Sequence, residues 1–165
     1  MPRWEPEQTV TVPIIERLVD REPKVASEPP LTRAQSVRQL KACLRRDLEW
    51  LLNTRRRPDA ADSEYKELEQ SLFNYGLPDI SGLSWDSARD RVRLTRMIEK
   101  TLAMFEPRIK RLKVTASESA PGAKHVLRFQ IEGLLDMDPA PEHISFDTVL
   151  QLSSGDIQVK GDAGA

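Results

Sequence analysis

Leu44-Arg45-Arg46-Asp47-Leu48-Glu49-Trp50-Leu51-Leu52-Asn53-Thr54-Arg55 is the stretch on which the fold turns. Leu44, Leu48 and Leu51 join Val37 and Leu40 in one i, i+3, i+7, i+11, i+14 series, the rhythm of a long helix with a single buried stripe. This helix is expected to begin near Thr32 or Ser36, both good caps, and to end about Asn53. Asp47 falls close to the stripe. A carboxylate there has to meet a cation or donors, because burying it alone is very costly.

Before this helix, Met1–Val12 reads as a polar leader, and Pro13–Asp20 as a short helix with proline in its first turn. That short helix has Ile14, Ile15, Leu18 and Val19 to bury. The prolines from Pro23 to Pro30 make a linker. The division expected is therefore a leader over residues 1–30 and a main domain over residues 31–165. After the first long helix, Pro58-Asp59 stops the element and Ser63–Leu72 is expected to be a short helix. Asn74-Tyr75-Gly76-Leu77-Pro78-Asp79 forms a compact turn.

A second long helix is expected from about Asp86 to Phe105, with Ala88, Val92, Thr95, Ile98, Leu102 and Phe105 facing inward. Arg91 lies at the centre of that face. Two readings stand: Arg91 snorkels outward at the helix end, or it pairs with Asp47 on the neighbouring helix. Beyond Pro107 the period changes to two. Leu112, Val114 and Ala116 alternate with polar neighbours, then Leu127, Phe129 and Ile131, then Ile144 to Leu152, then Ile157 and Val159. Helices first and an antiparallel meander afterwards give an α+β fold. Two long helices and shorter ones pack on a mostly antiparallel sheet of about four strands.

Composition narrows the function. The chain has 165 residues, 25 basic and 26 acidic, which nearly cancel and argue against nucleic-acid binding by counterion release. Cys43 is the single cysteine and has no internal disulfide partner. The amino-terminal residues do not read as a signal peptide, and no apolar run is long enough to span a bilayer. The chain is expected to be cytoplasmic.

Few residues suggest chemistry. In Glu106-Pro107-Arg108 the proline takes Glu106 out of the helical region, so the helix ends there. An extended triplet would send Glu106 and Arg108 to one side as an acceptor beside a forked donor. Glu106 also stands at the unfavourable end of the helix dipole, so it calls for a specific partner. It serves either an ion pair that fixes the helix-to-strand corner or a contact with another chain. Arg46, Asp47, Glu49, Asn53 and Arg55 suggest no nucleophile–base pair, and Arg45–Glu49 reads as a surface ion pair. His125 and His143 are too far apart to imply a metal site, and phosphate-loop and nucleophile-elbow patterns are missing. No catalytic residue, metal or cofactor is expected. The last strand, Asp156–Lys160, is a candidate edge for accepting a strand from another chain, through Ile157 and Val159.

The Leu44–Arg55 segment, with Tyr75-Gly76-Leu77-Pro78-Asp79 and Glu106-Pro107-Arg108 in the same order and spacing, resembles the TssE family of type VI secretion baseplate subunits, relatives of the phage baseplate wedge proteins. The likeness runs from about Pro13 to Lys160, and a similar short apolar motif precedes the first long helix in that family. The resemblance implies a non-enzymatic wedge subunit of a phage tail-like machine, placed in the cytoplasm where the baseplate docks on the inner membrane complex. It implies partner binding through Glu106, Pro107 and Arg108. It also implies strand addition at the sheet edge to start the contractile sheath. The implied partners are TssF and TssG in the wedge, TssK through the wedge, and the TssB and TssC sheath proteins, with neither nucleic acid nor direct membrane insertion. Asp47, Arg91, Asn53, Arg55, Tyr75, Gly76 and Pro78 are expected to be structural. The alternatives are a regulatory adaptor on the same fold and a peptidoglycan hydrolase. Against the latter, Glu64, Glu67 and Glu69 lie on a polar segment rather than in a sheltered cleft.

Overall fold

The computed structural model describes residues 10–19, 23–24, 31–58, 64–84, 87–117 and 126–162. The chain divides into two compact units, Met1–Leu44 and Arg45–Ala165, and the division falls inside the first long helix. In the first unit a five-residue helix, α1 (Ile14–Leu18), follows Pro13. Its apolar residues were expected to be buried. Instead Ile14, Ile15, Leu18 and Val19 are exposed, at 51% or more, and Glu16 is buried. A helix of less than two turns has one inward position, and with Glu16 turned inward the apolar ones face out.

The first long helix, α2 (Arg33–Asn53), starts with a reciprocal cap. Thr32 Oγ1 accepts from the Gln35 amide at 3.3 Å, and Gln35 Oε1 accepts from the Thr32 amide at 2.9 Å. Ser36, the other candidate cap, is instead buried, donating to the Arg33 carbonyl and accepting from the Val10 amide. Leu40, Cys43 and Leu44 are buried in this part of the helix.

The second unit contains the rest of α2, where Leu48, Leu51 and Leu52 are buried. After it come α3 (Lys66–Glu69), a single 3-10 turn (Leu72–Asn74) and the second long helix, α4 (Ala88–Phe105). The sheet follows: β1 (Ile109–Ser117), β2 (Val126–Leu135), β3 (Glu142–Gln151) and β4 (Ile157–Asp162), antiparallel throughout in the order β1-β2-β3-β4. The fold is α+β. Leu127, Phe129, Ile131 and Leu135 on β2 and Ile144, Phe146, Thr148 and Leu150 on β3 are buried at alternate positions, so one sheet face is apolar. Helix α4 runs against β1.

Three details depart from the periodicity. In β1 only Val114 of the expected Leu112, Val114 and Ala116 is buried, and Ile109 is buried with it. The register slips between Lys110 and Lys113, with Arg111 at φ +50°. This bulge reverses the odd–even sense of the strand, so both Ile109 and Val114 reach the core. Gly133 lies across from it: a Cβ there would sit 2.4 Å from Ile109 Cγ2. In α4 the buried residues are Leu94, Ile98, Thr101 and Leu102, whereas Ala88 and Val92 are exposed. The first turns of this helix, capped by the Ser87 hydroxyl, extend past the buried layer. Finally, the helix expected over Ser63–Leu72 reduces to α3 and the 3-10 turn; Ser63 lies outside the described residues, as do Trp85, Asp86 and His125.

Candidate partner-binding site

Helix α4 ends because Pro107 cannot continue it. Glu106 leaves the helical region at φ −121°, ψ 69°, while its amide still bonds to the Leu102 carbonyl at 2.8 Å. The triplet is not extended. The Ile109 amide reaches back to the Glu106 carbonyl at 3.1 Å, closing a tight turn in which Pro107 takes the position its fixed φ favours. Across this turn the two side chains still meet. Arg108 Nε and Nη2 donate to Glu106 Oε2 at 3.0 and 2.7 Å.

The same Nη2 donates to Asp47 Oδ2 at 2.9 Å, and Arg46 bonds to Asp47 Oδ1 at 3.3 Å. The cation that meets Asp47 from the turn before β1 is therefore Arg108. Arg91 is exposed, in keeping with the outward of its two readings. Glu106 is buried, while the side chains of Arg108 and Asp47 keep 31% and 24% exposure. The guanidinium has one edge against two carboxylates. Among the described residues no acceptor meets its Nη1. On the outer side, the Arg46 guanidinium lies over the exposed ring of Trp50, 5.2 Å from its centroid.

The electrostatics follow from this crowding. Burial pushes the Glu106 carboxyl above the usual carboxylate range; Arg108 opposes the rise and the nearby Asp47 adds to it. Burial also works against the Arg108 cation, but its hydrogen bonds to Asp47 and Glu106 outweigh that and raise its pKa. Burial, followed by the charges of Glu106 and Asp47, raises the Tyr75 phenol. Its ring meets Phe105 edge-on at 5.2 Å.

Tyr75, Gly76 and Pro78 belong to the loop that seals the end of α2. The Leu77 amide donates to the Thr54 carbonyl at 2.8 Å, and the Arg56 amide to the Leu77 carbonyl at 3.0 Å. Gly76 has φ +110°, and a Cβ there would come within 2.3 Å of the Thr54 carbonyl oxygen. Glycine is required on both counts. Arg55 lies nearby, paired with Asp79 at 3.6 Å and close beneath Gly155.

Ile157 and Val159 are both buried. The Asn53 amide donates to the Ile157 carbonyl at 2.7 Å and accepts from the Ile157 amide at 2.8 Å. The Val159 amide donates to Glu49 at 3.3 Å, and Arg45 donates to the Val159 carbonyl at 3.1 Å. Helix positions four apart rise about 6 Å and strand positions two apart about 6.7 Å, so an i, i+4, i+8 series can follow one side of a strand. Arg45 and Glu49, read from sequence as a routine surface pair, thus cover a sheet edge with Asn53. At the opposite edge the Val114 amide donates to Glu99 of α4 at 2.8 Å. Sequence reasoning missed these roles. The polar series Arg45, Glu49, Asn53 on one helix face was the signal available.

The Glu106 carboxyl has a raised pKa, but one Arg108 nitrogen bonds to both it and Asp47, filling the space between the two carboxylates. Glu64, Glu67 and Glu69 are exposed, as is His143. Among the described residues no three His, Cys, Asp or Glu side chains could hold a metal, and no helix is long and apolar enough to cross a membrane.

The family model described as baseplate wedge protein gp25 matches residues 38–140. Among solved structures, a chain of "The baseplate complex from the type VI secretion system" is 25% identical, with 69% of this chain and 96% of that chain covered and a TM-score of 0.47. No curated protein matches.

Proposed function

The chain belongs to the baseplate wedge protein gp25 family, and from that premise we propose that it is the TssE-type wedge subunit of a type VI secretion baseplate, joining the wedge core to the contractile sheath. Its work is assembly and not catalysis. The Arg108 corner takes the wedge core, TssF with TssG, and through them TssK. The β4 side of the sheet leads to the TssB and TssC sheath proteins. The subunit acts in the cytoplasm, where the baseplate docks on the inner membrane complex, and residues 31–165 form the wedge domain behind a leader over residues 1–30.

One observation carries this reading. Arg108 is held rigidly by Glu106 and Asp47 on one edge, yet remains about one-third exposed, with Nη1 unmet by any described acceptor. A preorganised guanidinium with donors to spare loses little freedom on binding. A second reading rests on the same bonds: the cluster clamps α2 to the α4–β1 corner and does nothing else. Co-purification of TssF–TssG with wild type, Glu106→Ala and Arg108→Ala separates the two, with folding checked by circular dichroism. Loss of the complex by folded variants supports the partner site. Full retention by both leaves the corner as a clamp.

Strand addition at β4 takes a specific form. The outward backbone groups of Ile157 and Val159 are already bonded by Asn53, Glu49 and Arg45. An incoming sheath strand has to displace those side chains, so recruitment here is an exchange of hydrogen bonds rather than capture by a bare edge.

A further inference from the structure

The outer face of α4 goes against the local preferences of a helix. Arg89, Arg93, Arg96 and Lys100 recur at i, i+4, i+7 and i+11, which places them on one face, and all four are exposed. They span about 16 Å at ~1.5 Å per residue. Cations four apart repel each other, and Arg89 and Arg91 stand in the first turn, where the helix dipole disfavours positive charge. Asp90, the acidic residue of that turn, is directed to the Ser84 amide at 3.1 Å. Among the described residues no carboxylate pairs with Arg89, Arg93 or Arg96. Lys100 meets Glu69 at 3.3 Å with both side chains more than half exposed, a pairing that solvent exchanges readily. Along one side of the stripe, Ala88, Val92 and Ala103 are exposed too, Val92 at 49%.

We propose that this face docks an acidic amphipathic helix of another protein, with carboxylates every three to four residues opposite the cations and small apolar side chains over Val92 and the two alanines. Charge complementarity selects that occupant. Three of the four cations are arginines, whose forked donors suit carboxylates. The small residues let a second helix come close, as paired charges beside an apolar seam do in helix–helix recognition. A nucleic acid fits less well: the chain's formal net charge of −1 gives no long-range pull on a polyanion, and the apolar seam has no counterpart on a phosphate backbone. The inference stands on α4 alone and does not depend on the Glu106–Arg108 reading.

The test uses the full chain and a fluorescent synthetic helical peptide with glutamates at i, i+4, i+7 and i+11 and alanine and leucine beside them. Fluorescence anisotropy should show binding that weakens with salt and falls at least about tenfold in Arg93→Glu/Arg96→Glu. Val92→Ala should lose about threefold, in line with one small contact. A peptide with lysine in place of each glutamate should not bind. The substituted residues are exposed, so thermal melts of the variants should match wild type. Equal binding by wild type and the double variant overturns the proposal. So does failure of the acidic peptide to bind, whether or not duplex DNA or phosphatidylglycerol vesicles bind in its place.

Discussion

Helix α2 reaches across to the sheet in two places, and they are satisfied to different degrees. At the β4 edge, Asn53, Glu49 and Arg45 meet the outward amide and carbonyl groups of Ile157 and Val159. At the α4–β1 corner, Asp47 meets an arginine that already holds Glu106, and that guanidinium keeps an unused edge facing outward. Polar groups that saturate one another stabilise a fold and are open to a partner only by exchange of those bonds. Polar groups fixed in place with capacity left over are what a partner can use. The same helix therefore supplies a closed contact and an open one, with Asp47 between Arg45 and Glu49 along the chain.

Substitutions should separate the two, and the largest effect is expected at the open contact. Arg108→Ala should weaken TssF–TssG binding by ~2 kcal/mol or more, the scale of an interface anchor. It should lower stability by only about 1–2 kcal/mol, because the cluster is partly solvated; calorimetric titration and urea unfolding measure the two quantities. Asn53→Ala should show the reverse pattern. It leaves the amide and carbonyl of Ile157 without their side-chain partner, at a cost of ~2 kcal/mol of unfolding free energy, with wedge binding unchanged.

A smaller effect concerns pH. The folded pKa of Glu106 is raised above its ordinary 4.5, so over that interval the folded state holds more protons than the unfolded chain. Its contribution is fully present below 4.5 and is lost as pH rises through the folded value. The stability difference between wild type and Glu106→Gln should therefore shift against wild type as pH is raised from 4.5 towards neutrality. Denaturant unfolding at a series of pH values reads this, and a difference that does not change with pH would remove the raised pKa from the account. The smallest effect is expected at Arg45→Ala, about 0.5 kcal/mol, since both Arg45 and Glu49 stay well solvated.

Much of this was legible in the sequence, and what was not has physical causes. The leucine series fixed the course of α2, and alternation marked β2 and β3, because burial on one side leaves a period. The turn at Pro107 could be read from proline chemistry. The bulge in β1 could not, since Arg111 carries a positive φ with no glycine to announce it. The inward face of α4 was misplaced because its first turns extend beyond the core, so Ala88 and Val92 face solvent, and periodicity has no information on where a core ends. The apolar residues of α1 were misread for a related reason: a five-residue helix shows its hydrophobic side without showing what covers it. Asp47 plainly needed a cation, but the choice of Arg108, 61 residues away, depends on tertiary placement. The same holds for Asn53 and β4, 104 residues apart.

The most direct test of the central claim is the affinity of TssF–TssG for Arg108→Ala and Asn53→Ala, measured side by side at a temperature where both are folded. The open-contact account predicts that Arg108→Ala loses binding while Asn53→Ala, though the less stable protein, binds as wild type does. Equal affinity for all three proteins, or losses that track stability, would contradict it.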